Sequence, residues 1–130
     1  MGTIFSRAVP YAGDVLNLPV RKLDEALPFY QTVMGFRVVS QSETPPKSAI
    51  LARDQVQIGL AENGGDPEQN GCFFEVDNVE SAFADLKSRG LKKEEPEFRI
   101  DKYGETSWRV FFVVVPDGLC YCLGQRHNPA

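Results

Sequence analysis

Val20-Arg21-Lys22-Leu23-Asp24-Glu25-Ala26-Leu27-Pro28-Phe29-Tyr30 has a counterpart further along the chain, Val76-Asp77-Asn78-Val79-Glu80-Ser81-Ala82-Phe83-Ala84-Asp85-Leu86. At an offset of 56 the two align Val20 with Val76, Leu23 with Val79, Asp24 with Glu80, Ala26 with Ala82, Leu27 with Phe83 and Tyr30 with Leu86. In both segments the apolar residues recur at helical spacing: 23, 26, 27, 30 and 34, then 79, 82, 83 and 86. Each is followed by a glycine and an extended run, Met34-Gly35-Phe36 and Arg89-Gly90-Leu91. Glycine suits a helix end because it adopts a left-handed backbone without steric cost. Asp24 and Glu25 read as first-turn charges that favour the helix dipole, and Pro28 as a residue of the first turn or so.

Working outward, an extended stretch precedes each helix and strand-like stretches follow it. These are 36–43, 48–53 and 55–61 in the first half, and 97–102, 107–115 and 119–124 in the second. Between the halves lies Glu62-Asn63-Gly64-Gly65-Asp66-Pro67-Glu68-Gln69-Asn70, a polar Gly/Pro linker. The expectation is therefore α+β: one domain over residues 1–130, made of a module at 14–61, a linker at 62–70 and a module at 71–124. Each module reads as a βαβββ unit.

The composition fits one soluble globular domain. The chain has 130 residues, 42% hydrophobic and 25% charged, and a net charge of −4. An acidic balance argues against nucleic acid as a partner, because backbone binding needs surplus Lys and Arg. No apolar run approaches the roughly 20 residues that span a bilayer, so no membrane partner is expected. Met1–Ser6 lacks the apolar stretch of a secretory signal, although it fits the loose M-G-x-x-x-S acylation pattern. Cys72, Cys120 and Cys122 are odd in number and show no CxxC spacing, which points to reduced thiols and a cytoplasmic location.

The run Val20 to Val39, with Ala26-Leu27-Pro28-Phe29-Tyr30 and Met34-Gly35-Phe36, resembles the vicinal oxygen chelate superfamily of glyoxalases, dioxygenases and bleomycin resistance proteins. Phe74-Glu75-Val76-Asp77-Asn78-Val79, Arg89-Gly90 and Pro116-Asp117-Gly118 extend the likeness over about residues 14–124. The resemblance implies paired βαβββ modules forming a U-shaped mixed sheet around a ligand cavity, usually in a homodimer.

Strand alternation then sorts the residues by face. Leu16, Leu18 and Val20 oppose Val15, Asn17 and Pro19; Val56, Ile58 and Leu60 oppose Gln57, Gly59 and Ala61. Cys72, Phe74 and Val76 oppose Gly71, Phe73 and Glu75; Leu119, Tyr121 and Leu123 oppose Cys120, Cys122 and Gly124. The uniformly apolar sets are assigned to the helix side. The mixed sets face either the cavity or plain solvent, and the small residues with Phe73 favour the cavity.

The resemblance further implies a divalent metal held by His, Gln and Glu at four places, which fall on Val15, Gly59, Gly71 and Cys122. Three of these offer no ligand atom, so no metal and no cofactor are expected. A Cys120/Cys122/His127 zinc site is the weaker alternative to an exposed tail histidine. Glu75 is either a general base or a carboxylate paired with arginine.

The family branch nearest to this pattern is the metal-free one that sequesters bleomycin-type antibiotics. Its late arginine matches Arg109, with Trp108 and Phe111 able either to stack on a ligand or to pack in a core or dimer interface. The expected ligand-binding set is Asn17, Gln57, Phe73, Glu75, Trp108, Arg109, Phe111 and Cys122, with no catalytic residue. The expected function is binding and sequestration of an unknown small molecule. The alternative is a glyoxalase- or dioxygenase-like enzyme with displaced metal ligands. A dedicated binder of cationic bleomycin should be strongly acidic in its cavity, and Glu75 is the one acid assigned to that face.

Overall fold

A computed structural model describes residues 4–10, 14–116 and 118–127 of the chain. Met1–Thr3 of the acylation-like pattern and Asp117 of the late turn lie outside them. The elements run β1 Phe5–Pro10, β2 Leu18–Pro19, α1 Leu23–Thr32, β3 Arg37–Ser42, β4 Ser48–Arg53, β5 Val56–Ala61, β6 Gly71–Val76, α2 Val79–Ser88, β7 Arg99–Tyr103, β8 Thr106–Val114 and β9 Cys120–His127. They form two mixed sheets, ordered β1-β6-β9-β8-β7 and β2-β5-β4-β3. In each half the strand before the helix pairs parallel with the last strand of its own unit, β2 with β5 and β6 with β9. The α+β architecture with a repeated βαβββ unit is what the sequence implies.

The first unit departs from the expectation at its start. Its leading strand is only Leu18–Pro19, because Asp14 captures the backbone that an extended strand would use. The Asp14 carboxylate accepts from the Leu16 N–H at 2.9 Å, and its carbonyl accepts from the Asn17 N–H at 3.0 Å, winding Val15–Asn17 into a single 3₁₀ turn. Leu16, expected on the core side, is consequently 47% exposed. A further strand, β1, precedes the two repeated units. It pairs antiparallel with β6, and Phe5 sinks fully into the core against Phe74 and Phe36, at ring separations of 5.3 and 6.0 Å.

Both helices end as expected at left-handed glycines, Gly35 at φ 77° and Gly90 at φ 112°. Both start by borrowing an acceptor from beyond their own strand. Glu62 accepts from the Leu23 N–H at 2.8 Å, and Gln125 from the Val79 N–H at 2.7 Å. These satisfy donors that every helix N-terminus leaves open. Pro28 lies in the sixth helical position, not the first turn. It is exposed, so the backbone bond it forgoes lies on the solvent side.

One core joins the halves. Leu18, Leu51, Ile58 and Leu60 of the first unit are buried with Phe74, Phe111, Tyr121 and Leu123 of the second. Tyr30 of α1 and Tyr121 of β9 share a buried hydroxyl–hydroxyl hydrogen bond. Arg53 is the buried charge of this seam. It donates to the Met34 carbonyl at 2.7 Å and to Asp85 on α2 at 2.8 Å, and lies 4.3 Å over the Phe5 ring. A side chain at Gly35 would meet its guanidinium at 2.6 Å, a second reason for glycine there.

Candidate functional site

The core-side assignments agree with the structure on the three strands where alternation is unbroken. Val56, Ile58, Leu60, Cys72, Phe74, Val76, Leu119, Tyr121 and Leu123 all belong to the main core. A separate apolar cluster forms on the opposite, open face of the β6–β9–β8–β7 sheet. Trp108, Val110 and Cys122 are buried there, with Phe73 and Phe112 packed against them. Strand register explains the grouping, since Cys122 of β9 lies between Phe73 of β6 and Phe112 of β8. Phe73 and Trp108 meet edge to face at 5.0 Å, a favoured aromatic geometry. Gly124 makes room for this pair, because a Cβ there would come within 2.7 Å of the Phe73 ring.

Charged side chains roof the cluster. Arg126 lies 5.3 Å over the Trp108 ring and Arg99 lies 4.7 Å over Phe112. Glu75 is ion-paired with Arg7 at 3.2 Å and with Arg126 at 3.6 Å, which places it among arginines and not as an isolated base. Arg99 and Asp101 pair through two contacts, at 2.9 and 3.1 Å. Burial, with the Asp101 charge adding to it, pushes the Cys122 thiol up to about 12, so it stays protonated and unreactive at neutral pH.

Of the expected set, Phe73, Glu75, Trp108 and Cys122 thus come together. Arg109 and Phe111 do not, and their expected place is corrected. Successive residues of a strand point to opposite faces, so Trp108 and Arg109 cannot share one. Arg109 turns to the helix side, 3.3 Å from Glu80 and 4.4 Å over Phe98. Phe111 is fully buried there against Phe83 and Phe98, at 5.6 and 5.7 Å. Asn17 is exposed on the 3₁₀ turn, where it accepts from Asn63 at 3.1 Å. Gln57 is exposed on β5, away from the aromatic cluster. His127, read as a tail residue, ends β9 opposite Ser107 and belongs to the other face from Cys120 and Cys122.

Sequence reading missed Val110, Phe112, Arg99 and Arg126. For the first two the signal was present: once Trp108 is placed, every second residue of the run shares its face. Arg126 was hidden by ending the last strand at 124.

The family's metal does not fit these residues. The direction a side chain would take from Gly59 is filled by the Leu16 carbonyl oxygen, 2.2 Å from a built Cβ. The 3₁₀ turn lies over that position, and Val15 is part of the turn. Among the described residues no three His, Cys, Asp or Glu side chains gather as a metal site.

Two grooves lie beside α1, and the larger reaches Phe112 of this cluster. One of about 270 Å³ runs from Arg21 to Pro116; one of about 550 Å³ is lined by Val33, Leu91, Lys92 and Phe112. No helix among the described residues is long and apolar enough to cross a membrane.

Comparison with solved structures finds the same fold at low identity. The bleomycin resistance determinant encoded on transposon Tn5 has 23% identity and a TM-score of 0.62, covering 90% of this chain and 99% of that one. The antibiotic-binding protein TnmS3 from Streptomyces sp. CB03234 has 19% identity and a TM-score of 0.62, covering 89% and 97%. A glyoxalase/bleomycin resistance protein/dioxygenase from Alicyclobacillus acidocaldarius has 17% identity and a TM-score of 0.67, covering 87% and 89%. A search of curated proteins returned no match. The family model for glyoxalases, bleomycin resistance proteins and dioxygenases matches residues 13–106. With the repeated units and their strand order, this places the chain in the glyoxalase/bleomycin resistance protein/dioxygenase superfamily.

Proposed function

We propose that the chain is a metal-free small-molecule binding and sequestration protein, acting as a cytoplasmic homodimer, and that its ligand is held on the open face of the β6–β9–β8–β7 sheet. The observation that carries this reading is the second apolar cluster. Trp108, Val110 and Cys122 are buried on the face opposite the main core, under Arg99 and Arg126, which lie over Phe112 and Trp108 and are ion-paired to Asp101 and Glu75. A plain wet sheet face has no need of a tryptophan and two phenylalanines. Aromatic floors with a few polar groups at the rim are the usual make-up of small-molecule sites. Bleomycin is bound by one solved protein of this fold, at 23% identity. That likeness supports binding as a class and leaves the ligand to be identified from this chain's own chemistry.

Enzymatic readings lack a working group. Three of the four family ligand places carry no donor atom, the Cys122 thiol is held protonated, and Glu75 is engaged by two arginines. Metal analysis of the purified protein is the direct test. The expected result is less than about 0.1 equivalent of transition metal and no glyoxalase turnover with added Ni²⁺ or Zn²⁺. Stoichiometric zinc that survives dialysis and disappears in Cys122→Ala would overturn the metal-free reading. Light scattering at tens of micromolar should give a dimer mass, with an interface of over about 1,000 Å².

A further inference from the structure

The open face of the second sheet is charged in a way the whole chain is not. The protein carries a net charge of −4. Around the aromatic cluster, however, three arginines, Arg7, Arg99 and Arg126, are ion-paired with two carboxylates, Glu75 and Asp101. A cationic ligand would approach three guanidiniums.

The arginines are not equally committed. Arg99 grips Asp101 through the Nε–Nη2 edge of its guanidinium, at 2.9 and 3.1 Å. Arg126 has a longer contact, 3.6 Å, to Glu75, and Glu75 keeps Arg7 at 3.2 Å if Arg126 departs. Arg126 is also 59% exposed, and a cation–π contact at an exposed site is weak. Moving Arg126 off the Trp108 ring therefore leaves no buried carboxylate unpaired. It uncovers an indole that is only 6% exposed while the arginine lies over it.

We propose that this face binds a planar aromatic anion, whose ring takes the place of the Arg126 guanidinium over Trp108 and whose carboxylate or similar charge is received by Arg126. The inference rests on the reading of this face as the binding site and names its ligand class. The exchange replaces one ring-to-cation contact by ring-to-ring stacking plus a charge-assisted pair, the stronger kind of hydrogen bond. Arg99, held by Asp101, keeps the far end of the floor closed over Phe112.

Trp108 is the one tryptophan of the chain, so its indole N–H resonance reports on this face without assignment. Three derivatives of planar naphthalene that differ in charge serve as probes: naphthalene-2-carboxylate, naphthalene-2-carboxamide and naphthalen-2-yl-trimethylammonium. The carboxylate should move the Trp108 resonance and bind about tenfold or more tighter than the ammonium compound. Arg126→Gln should reduce the carboxylate to the affinity of the carboxamide. Arg126→Lys should keep most of the preference, and Arg99→Gln should change it less than Arg126→Gln does. Should Arg126→Gln prove unstable, raising salt on the unaltered protein must weaken the carboxylate and leave the carboxamide unchanged. Equal or tighter binding of the ammonium probe at Trp108 overturns the anion preference while keeping the face as a binding site. If none of the three moves the indole at millimolar concentration, both readings fall together.

Discussion

The two sheets of this protein are built on one repeated pattern and differ on one side only. Their helix-facing sides are alike, with Val56, Ile58 and Leu60 in the first and Cys72, Phe74 and Val76 in the second merging into a single core. Their open sides diverge. On the first, Gly59 lies under the Leu16 carbonyl, so backbone fills the space a side chain or ligand would use. On the second, Gly124 lies under a phenylalanine ring, so the space is filled by groups that can move. Repetition constrains the side that must pack; the side free of that duty is where two copies of a unit can differ. On the reading we propose, the ligand belongs on the second sheet.

The largest effects should come from the shared side. Phe74 is fully buried and stacked on Tyr121 at 5.2 Å, and Phe74→Ala should cost about 3–5 kcal/mol in thermal or denaturant unfolding. Its neighbour Phe73 packs mainly on Trp108, and Phe73→Ala should cost about 1–2 kcal/mol while disturbing the tryptophan emission. A larger loss at Phe73 than at Phe74 would invert the two faces and remove the basis for the comparison.

Next in size is the seam between the halves. Burial alone would raise the Asp85 carboxyl, but the hydrogen bond and charge of Arg53, followed by those of Arg89, outweigh it and hold the pKa below the ordinary carboxylate value. A depressed native pKa stabilises the fold above the unfolded value of about 3.9, and that share is lost as the pH falls through the native value. Asp85→Asn should therefore cost about 2–3 kcal/mol near neutral pH, since it removes the nearer carboxylate from a buried arginine that keeps the Met34 carbonyl at 2.7 Å and Asp54 at 3.5 Å. The gap between variant and parent should close below about pH 4. A gap that stays constant down to pH 2 would show that the pair contributes shape and not charge.

Much of this was legible in the residues. The offset of 56 locates both helices, and the alternation of Gly71–Val76 and Leu119–Gly124 names the correct core face on both strands. What failed did so locally. The Asp14 side chain replaced strand pairing with a turn, so Leu16 and Asn17 left the positions that alternation gave them. Trp108 and Arg109 were both assigned to the cavity because a motif match ignores the two-residue period, which the structure enforces. The arginines over the rings could not be read at all. Their roles depend on which strands lie side by side, and Arg126 reaches Trp108 only because β9 pairs with β8.

The contrast between the open sides can be sharpened at its two glycines. Gly59→Ala presses a Cβ on the backbone of the 3₁₀ turn, and Gly124→Ala presses one on the ends of the Phe73 and Val110 side chains. Side-chain ends yield more readily than backbone, so Gly59→Ala should cost about 2–3 kcal/mol and Gly124→Ala about 1 kcal/mol. Only Gly124→Ala should shift the Trp108 emission, because only that change displaces Phe73. If Gly59→Ala is the milder variant, the turn is loosely held and the first open face is as accommodating as the second.

The smallest expected effect, one of rate and not of stability, concerns the three thiols. Cys72 and Cys122 are buried, and burial is the leading cause that raises both, the latter to about 12, with the Cys122 charge adding to the rise at Cys72. Cys120 is partly exposed at the start of β9. Alkylation requires thiolate and access together, so iodoacetamide at pH 8 should label Cys120 first, with Cys72 and Cys122 reacting only as the protein unfolds. Mass mapping of a time course settles the order. A planar probe that occupies the open face should leave Cys122 slow, since it adds cover over a thiol already beneath Phe73, Trp108 and Phe112. Early labelling of Cys122 in the folded protein would mean that the aromatic cluster opens on its own. The second face would then be a loosely packed surface and not a preformed floor.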